Sequence, residues 1–191
     1  MPGKLIIFSA PSGAGKTTIV RSMLNENFKL EFSVSVCTRA RRPNEIHGKD
    51  YYFISPEEFR EKINNNEFIE WEEVYSGCFY GTLKSEVDRI SKEGKNILFD
   101  VDVVGGLNIK NLYGERALSV FVMPPSLEAL EQRLMMRNTD DIAVVKKRLA
   151  KASQELEFAP MFDKIIFNDQ LLVAVEEVRS LLKEFLAEEG F

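Results

Sequence analysis

The stretch Ala10-Pro11-Ser12-Gly13-Ala14-Gly15-Lys16-Thr17 restricts this chain more than any other part of it. It resembles the phosphate-binding pattern G-x-x-x-x-G-K-[ST], with Ala10 where glycine is commonest. The apolar run Leu5-Ile6-Ile7-Phe8 precedes it, as a strand covered on both faces, and a helical pattern follows with Ile19, Val20, Met23 and Leu24 on one side. Strand, glycine loop and helix in that order are the context the pattern needs. Such a loop turns its backbone N–H groups inward around phosphate oxygens, and the next helix adds its positive N-terminal end. Lys16 would set a compact positive charge at the β- and γ-phosphates, and Thr17 would offer its hydroxyl to Mg²⁺. Ala10 needs only a φ angle that alanine tolerates. The loop predicts binding of a nucleoside triphosphate. Whether the phosphoryl group goes to water or to an acceptor must be read elsewhere.

The rest of the chain continues the alternation of strand and helix. Asn96–Phe99, Ala117–Met123 and Lys164–Phe167 are further apolar runs, and helical patterns cover 83–93, 126–136, 142–156 and the stretch from Gln170. That rhythm predicts a parallel sheet wrapped by helices. Residues 33–82 break it with alternating strands at Phe32–Val36, Tyr51–Ile54 and Phe68–Tyr75, and with a helix opened by Ser55-Pro56-Glu57-Glu58. They read as a smaller insertion with an antiparallel sheet beside the main one. At 191 residues the chain fits one domain carrying such an insertion.

Charge and composition narrow the partners. Twenty-five Lys plus Arg against thirty Asp plus Glu leave a net charge of −5, unsuited to general binding of nucleic acid or anionic membranes. The N-terminal apolar run is too short to span a bilayer and carries no signal-peptide pattern, which predicts a cytoplasmic protein. Cys37 and Cys78 form no C-x-x-C pair, although one bridge between them stays open. His47, alone in a polar stretch, reads as a loop residue.

Against that acidic background, Thr38-Arg39-Ala40-Arg41-Arg42-Pro43 concentrates three guanidinium groups, each a fork suited to phosphate. Here the chain resembles the guanylate kinase family. The resemblance runs in family order through Ser12–Thr17, Ser33-Val34-Ser35 with Thr38–Pro43, Gly48-Lys49-Asp50-Tyr51, Phe68-Ile69-Glu70-Trp71, Tyr80-Gly81-Thr82, Asp100-Val101-Asp102, Lys147-Arg148-Leu149 and Asn168-Asp169. It implies an α/β P-loop nucleoside monophosphate kinase fold. Residues 1–32 and 83–191 would form the core, about 126–158 a helical lid, and 33–82 a small mixed β/α GMP-binding insertion.

The implied reaction is Mg²⁺-dependent transfer of the ATP γ-phosphoryl group to GMP, with ATP and GMP as small-molecule substrates and with neither nucleic acid nor membrane as a partner. The resemblance assigns ATP to Ala10 through Thr18, with Arg137, and places Asn168 near the adenine. It assigns the GMP phosphate to Arg39, Arg42, Tyr51 and Tyr80. Ser35, Glu70 and Thr82 would meet the guanine, with Asp102 close to the GMP. Lys16, Arg39, Arg137, Arg148 and Asp100 would carry the chemistry, and Thr17 the metal. One carboxylate can accept from both guanine N1–H and its exocyclic amine, whereas adenine offers a lone pair at the ring nitrogen, so Glu70 would discriminate. Without the resemblance, Glu70 reads as a solvated carboxylate, Tyr51 and Tyr80 as packing residues, and Arg137 and Arg148 as surface charge. Val104, Cys37 and Met136-Arg137-Asn138 depart from the family pattern, and none removes a charged group. Two other readings are a non-catalytic interaction module, disfavoured by the intact Lys16-Thr17, and a kinase for a different nucleoside monophosphate.

Overall fold

The computed structural model describes residues 3–136 and 142–187. Strand β1 (Leu5–Ser9) is buried along its whole length. Successive side chains on a strand point to opposite faces, so such a strand needs cover on both. Ile6 and Phe8 enter one hydrophobic cluster, Leu5 and Ile7 another. After the loop comes α1 (Lys16–Leu24), whose Ile19, Val20 and Met23 join the first cluster. Strand β2 (Leu30–Phe32) follows.

The chain then changes sheets. Alternation over Phe32–Val36 predicts one strand, but β2 stops at Phe32 and a separate β3 (Val36–Cys37) starts four residues on. A last backbone bond runs from Ser33 N to Leu98 O, 2.9 Å, and Val34 N then donates to the Glu86 carboxylate at 3.3 Å. One extended segment cannot pair with two sheets, so the crossing divides it.

Beyond the crossing lie β4 (Tyr52–Phe53), α2 (Pro56–Asn64), β5 (Phe68–Tyr75) and β6 (Cys78–Leu83). Ser55 caps α2 as its sequence predicts, accepting from Glu58 N at 3.1 Å. The small sheet has the order β4-β3-β6-β5. It is mixed rather than wholly antiparallel, because β3 and β4 run parallel. Residues 38–51 between them are long enough for the return that parallel pairing requires. Phe59 of α2 stacks on Phe68 at 4.5 Å, and with Val36 they make this sheet's own core.

The chain returns through α3 (Lys84–Lys92) to β7 (Asn96–Asp100), α4 (Val103–Tyr113), β8 (Ala117–Met123), α5 (Leu127–Met136), α6 (Ile142–Leu156), β9 (Lys164–Phe167) and α7 (Leu171–Ala187). The main sheet is parallel throughout, in the order β2-β7-β1-β8-β9. Side chains from α1, α5, α6 and α7 cover one face, and α3 with α4 cover the other. Helix α4 escapes a periodicity reading because Gly105 and Gly106 interrupt its buried stripe. Gly106 has a packing reason, since a Cβ there would come within 2.3 Å of Ser9 Oγ on β1. Among the described residues no helix is long and apolar enough to cross a membrane.

Candidate active site

In parallel sheets of this kind the crevice lies beyond the C-terminal strand ends. Here β1 ends in the glycine loop and its neighbour β7 ends at Asp100, paired with Phe8. Gly13 and Gly15 have φ of +95° and +93°, left-handed values at which a side chain would be strained. Ala10 is buried and is not among the residues with positive φ, so its methyl is accommodated.

The loop is also held from behind. The Asn168 amide donates to Ala14 O at 2.7 Å, and Arg133 of α5 donates to Ala14 O at 3.3 Å and to Asn168 O at 3.0 Å. A Cβ on Gly15 would meet Asn168 Nδ2 at 2.2 Å. Asn168 is buried beneath the loop, away from the open cleft. At the front, Lys16 Nζ pairs with Asp100 and donates to Val101 O at 2.6 Å. The Thr17 hydroxyl lies 3.3 Å from the other Asp100 oxygen.

The loop borders a cleft of about 330 Å³ whose opposite wall comes from the small sheet and its long loop. Of the residues singled out in the sequence, Ala10 through Thr17, Ser35, Arg39, Arg42, Tyr51, Glu70, Tyr80, Asp100, Asp102 and Arg148 all line it. Thr82 lies just behind, fully buried, and Thr18 is exposed on α1. Arg137 lies outside the described residues.

Arg39 is the hub of the opposite wall. Its guanidinium grips Glu45 with both terminal nitrogens, at 2.6 and 2.5 Å. Its Nε donates to Tyr80 OH at 3.2 Å, and its face lies 5.0 Å from the Tyr51 ring. The Arg42 backbone N–H donates to Glu45 as well, at 2.9 Å. A carboxylate thus sits where these arginines could hold a phosphate. Burial raises both phenols, Tyr80 to about 12, so they stay protonated and able to donate to an anion.

Glu70, on β5, accepts from the Thr82 hydroxyl of β6 at 2.6 Å, across a paired position in the ladder. Burial pushes the Glu70 carboxyl up to about 7, with the Thr82 bond pulling against it. Its second oxygen stands 2.6 Å from where Gly105 would carry a Cβ. The first turn of α4 can approach this carboxylate only because that side chain is absent. Asp102 caps the same helix by accepting from Gly105 N at 3.0 Å, while Ser9 Oγ holds its carbonyl at 2.9 Å.

Several contributors carry no motif of their own. Glu45 is three residues beyond Arg42 and becomes significant only when the loop folds back. Glu155 lines the cleft from α6, and burial raises its carboxyl to about 7. It lies two turns beyond Arg148, so helical spacing from that arginine could have found it. Cys78 lines the cleft, whereas Cys37 is buried in β3, where burial lifts its thiol to about 11. The two cysteines are free. His47 accepts from Phe53 N at 3.1 Å and pins its own loop.

The family model described as guanylate kinase matches residues 2–185. The chain is 54% identical over 189 residues to a guanylate kinase of Bacteroides thetaiotaomicron, covering 99% of this chain and 93% of that one. It is 51% identical over 185 residues to a guanylate kinase of Porphyromonas gingivalis, covering 96% and 98%. The crystal structure of guanylate kinase from Anaplasma phagocytophilum superposes with a TM-score of 0.80 at 29% identity, over 98% of this chain and 88% of that one.

Proposed function

The chain belongs to the guanylate kinase family, and from that premise we propose how its residues move the γ-phosphoryl group of ATP to GMP, giving ADP and GDP. The observation that carries the proposal is that one cleft joins a backbone cradle, Ala10 to Thr17, to an arginine and tyrosine cradle at Arg39, Arg42, Tyr51 and Tyr80. Residues 1–32 and 83–191 form the donor core in this reading. Residues 33–82 form the acceptor insertion, and about 126–158 the lid.

The loop amides and the start of α1 receive the triphosphate, and Lys16 moves from Asp100 to the β- and γ-phosphates. Asn168 acts on ATP by holding the loop at Ala14. The hydroxyl of Thr17 beside the carboxylate of Asp100 is a pair of hard oxygen donors, which suits Mg²⁺. When bound there, the ion supplies charge neutralisation at the phosphate oxygens.

On the acceptor side the GMP phosphate takes over donors that Glu45 now occupies on Arg39, with Arg42, Tyr51 and Tyr80 completing the ring. Glu70 accepts from guanine N1–H and the exocyclic amine. Thr82 orients Glu70, and Ser35 and Asp102 border the base and ribose side. Phosphoryl transfer through a loose transition state needs alignment and charge compensation more than a strong base. Arg148, with Arg137, supplies positive charge as the group crosses. Closing the lid and insertion over both nucleotides excludes water. ATP and GMP are the partners in this reading, and the cytoplasm is its location.

One coupled assay tests the whole: ATP with Mg²⁺, offered GMP, AMP, dTMP or no acceptor. ADP should form rapidly with GMP alone. Equal turnover with AMP or dTMP would reassign the acceptor, and no turnover with any acceptor would leave a binding module.

A further inference from the structure

Helix α6 contributes Arg148 and Glu155 to the lining of the cleft. Lys151 lies between them, three residues beyond Arg148 and four before Glu155, and therefore on the same side of the helix. Its ammonium leaves its own helix. It donates to Val74 O at 2.9 Å, stands 4.9 Å from the centre of the Tyr75 ring, and lies 3.8 Å from Glu155. Val74 and Tyr75 are the last residues of β5, and both line the cleft.

The acceptor side of this contact is built for it. In the β5–β6 ladder Glu73 pairs with Phe79 and Tyr75 with Cys78, so Val74 is the extra residue of a bulge. A bulge leaves its additional residue without a ladder partner, and the Val74 carbonyl takes the lysine instead. The lysine charge also acts favourably on Glu72, which precedes the bulge, and on Glu155. A lysine with no role beyond solubility would extend into water, whereas the Lys151 side chain is only 28% exposed.

We propose that Lys151 is a positioning residue that braces α6 against the bulged end of β5 and so sets Arg148 over the gap between the two nucleotides. The proposal rests on the role given above to Arg148. It makes a direct tie between the lid helix and the acceptor insertion, independent of the main sheet.

The test compares Lys151→Met, Lys151→Arg, Arg148→Ala and the Lys151→Met/Arg148→Ala double variant in the full chain. Lys151→Met should lower kcat by about 10- to 100-fold, the scale of a misplaced catalytic group. The KM values for ATP and GMP should move less, and Lys151→Arg should recover most of the rate because a guanidinium reaches the same carbonyl. The double variant should be no slower than Arg148→Ala, since the lysine acts through that arginine. Hydrogen exchange in the nucleotide-free protein should rise in both 72–78 and 142–156 of Lys151→Met. Wild-type kcat in Lys151→Met, unchanged exchange, or multiplied losses in the double variant would each overturn the proposal. Full turnover in Arg148→Ala would instead remove the role given to Arg148, leaving exchange to decide whether the brace exists.

Discussion

The two walls of the cleft are built by different means. The donor wall is backbone. Its shape comes from two left-handed glycines and from Asn168 and Arg133 pulling on one carbonyl. The acceptor wall is side chain. Arg39 is held by Glu45 and Tyr80, and Glu70 by Thr82 and by the space left at Gly105. A backbone cradle accepts any polyphosphate of the right length. A side-chain cradle can choose one base, at the cost of keeping charged groups satisfied while the site is empty.

Substitutions in each wall should separate these properties. Lys16→Met should have the largest effect, a fall in kcat of about 10²- to 10³-fold, comparable with removing one preorganised transition-state donor. Its thermal midpoint should stay near that of the parent, and turnover close to normal would remove Lys16 from the mechanism. Glu70→Gln comes next. Replacing a charged acceptor by a neutral amide should lower kcat/KM for GMP by about 10- to 100-fold. The KM for ATP should hold and the preference for GMP over AMP should shrink, so an unchanged preference would refute the assignment of Glu70 to the base. Gly105→Ala should raise the KM for GMP by about tenfold through displacement of the same carboxylate. An equal rise in the KM for ATP would show a general disturbance of α4 instead.

The smallest effect is one of pH. In its proposed role Glu70 must be ionised to accept from both guanine donors, and burial pushes its carboxyl up to about 7. The KM for GMP should therefore fall by a few fold as pH rises from about 6 to 8. The second ionisation of a phosphate monoester, near pH 6, adds to the lower part of that window. Glu70→Gln should retain only that part. Stability runs the other way. A carboxyl raised in the folded state contributes stability below its ordinary value of 4.5, and that contribution is lost as pH rises through about 7. Urea midpoints of the nucleotide-free protein should decline across that range, and less steeply in Glu70→Gln.

The same contrast explains what a sequence can disclose. The donor loop is contiguous, and every glycine it needs answers a local demand on φ, so eight residues and their flanks suffice to read it. The apolar strands beside it are equally plain, because a strand covered on both faces must be apolar throughout. The acceptor wall draws on segments near 35, 39–45, 51, 70, 80–82 and 105, which only the fold brings together. Glu70 among Trp71, Glu72 and Glu73 has nothing local to mark it as the buried member. A resemblance to a family identifies such residues, whereas spacing does not. Glu45, Lys151 and Gly105 lay beyond both routes: Glu45 matters only once its loop folds back on Arg39, Lys151 through a partner distant in the chain, and Gly105 through an atom that is missing. The division of Phe32–Val36 between two sheets was hidden for a similar reason. Alternation reports which side chains are buried, not which neighbour the backbone pairs with.

That division has a consequence for how such an enzyme changes its preferences. The chain departs from the main sheet at Ser33 and comes back into α3, and Glu86 on the returning helix grips Val34 on the departing segment. Exit and re-entry are thus stapled at a single doorway. Beyond that doorway the residues proposed to hold GMP, Gly105 and Asp102 excepted, form a cassette with its own aromatic centre, tied back to α6 where Lys151 meets Val74. Such a cassette can be recut while the loop that grips the triphosphate stays as it is, so long as the carbonyl that receives Lys151 is kept.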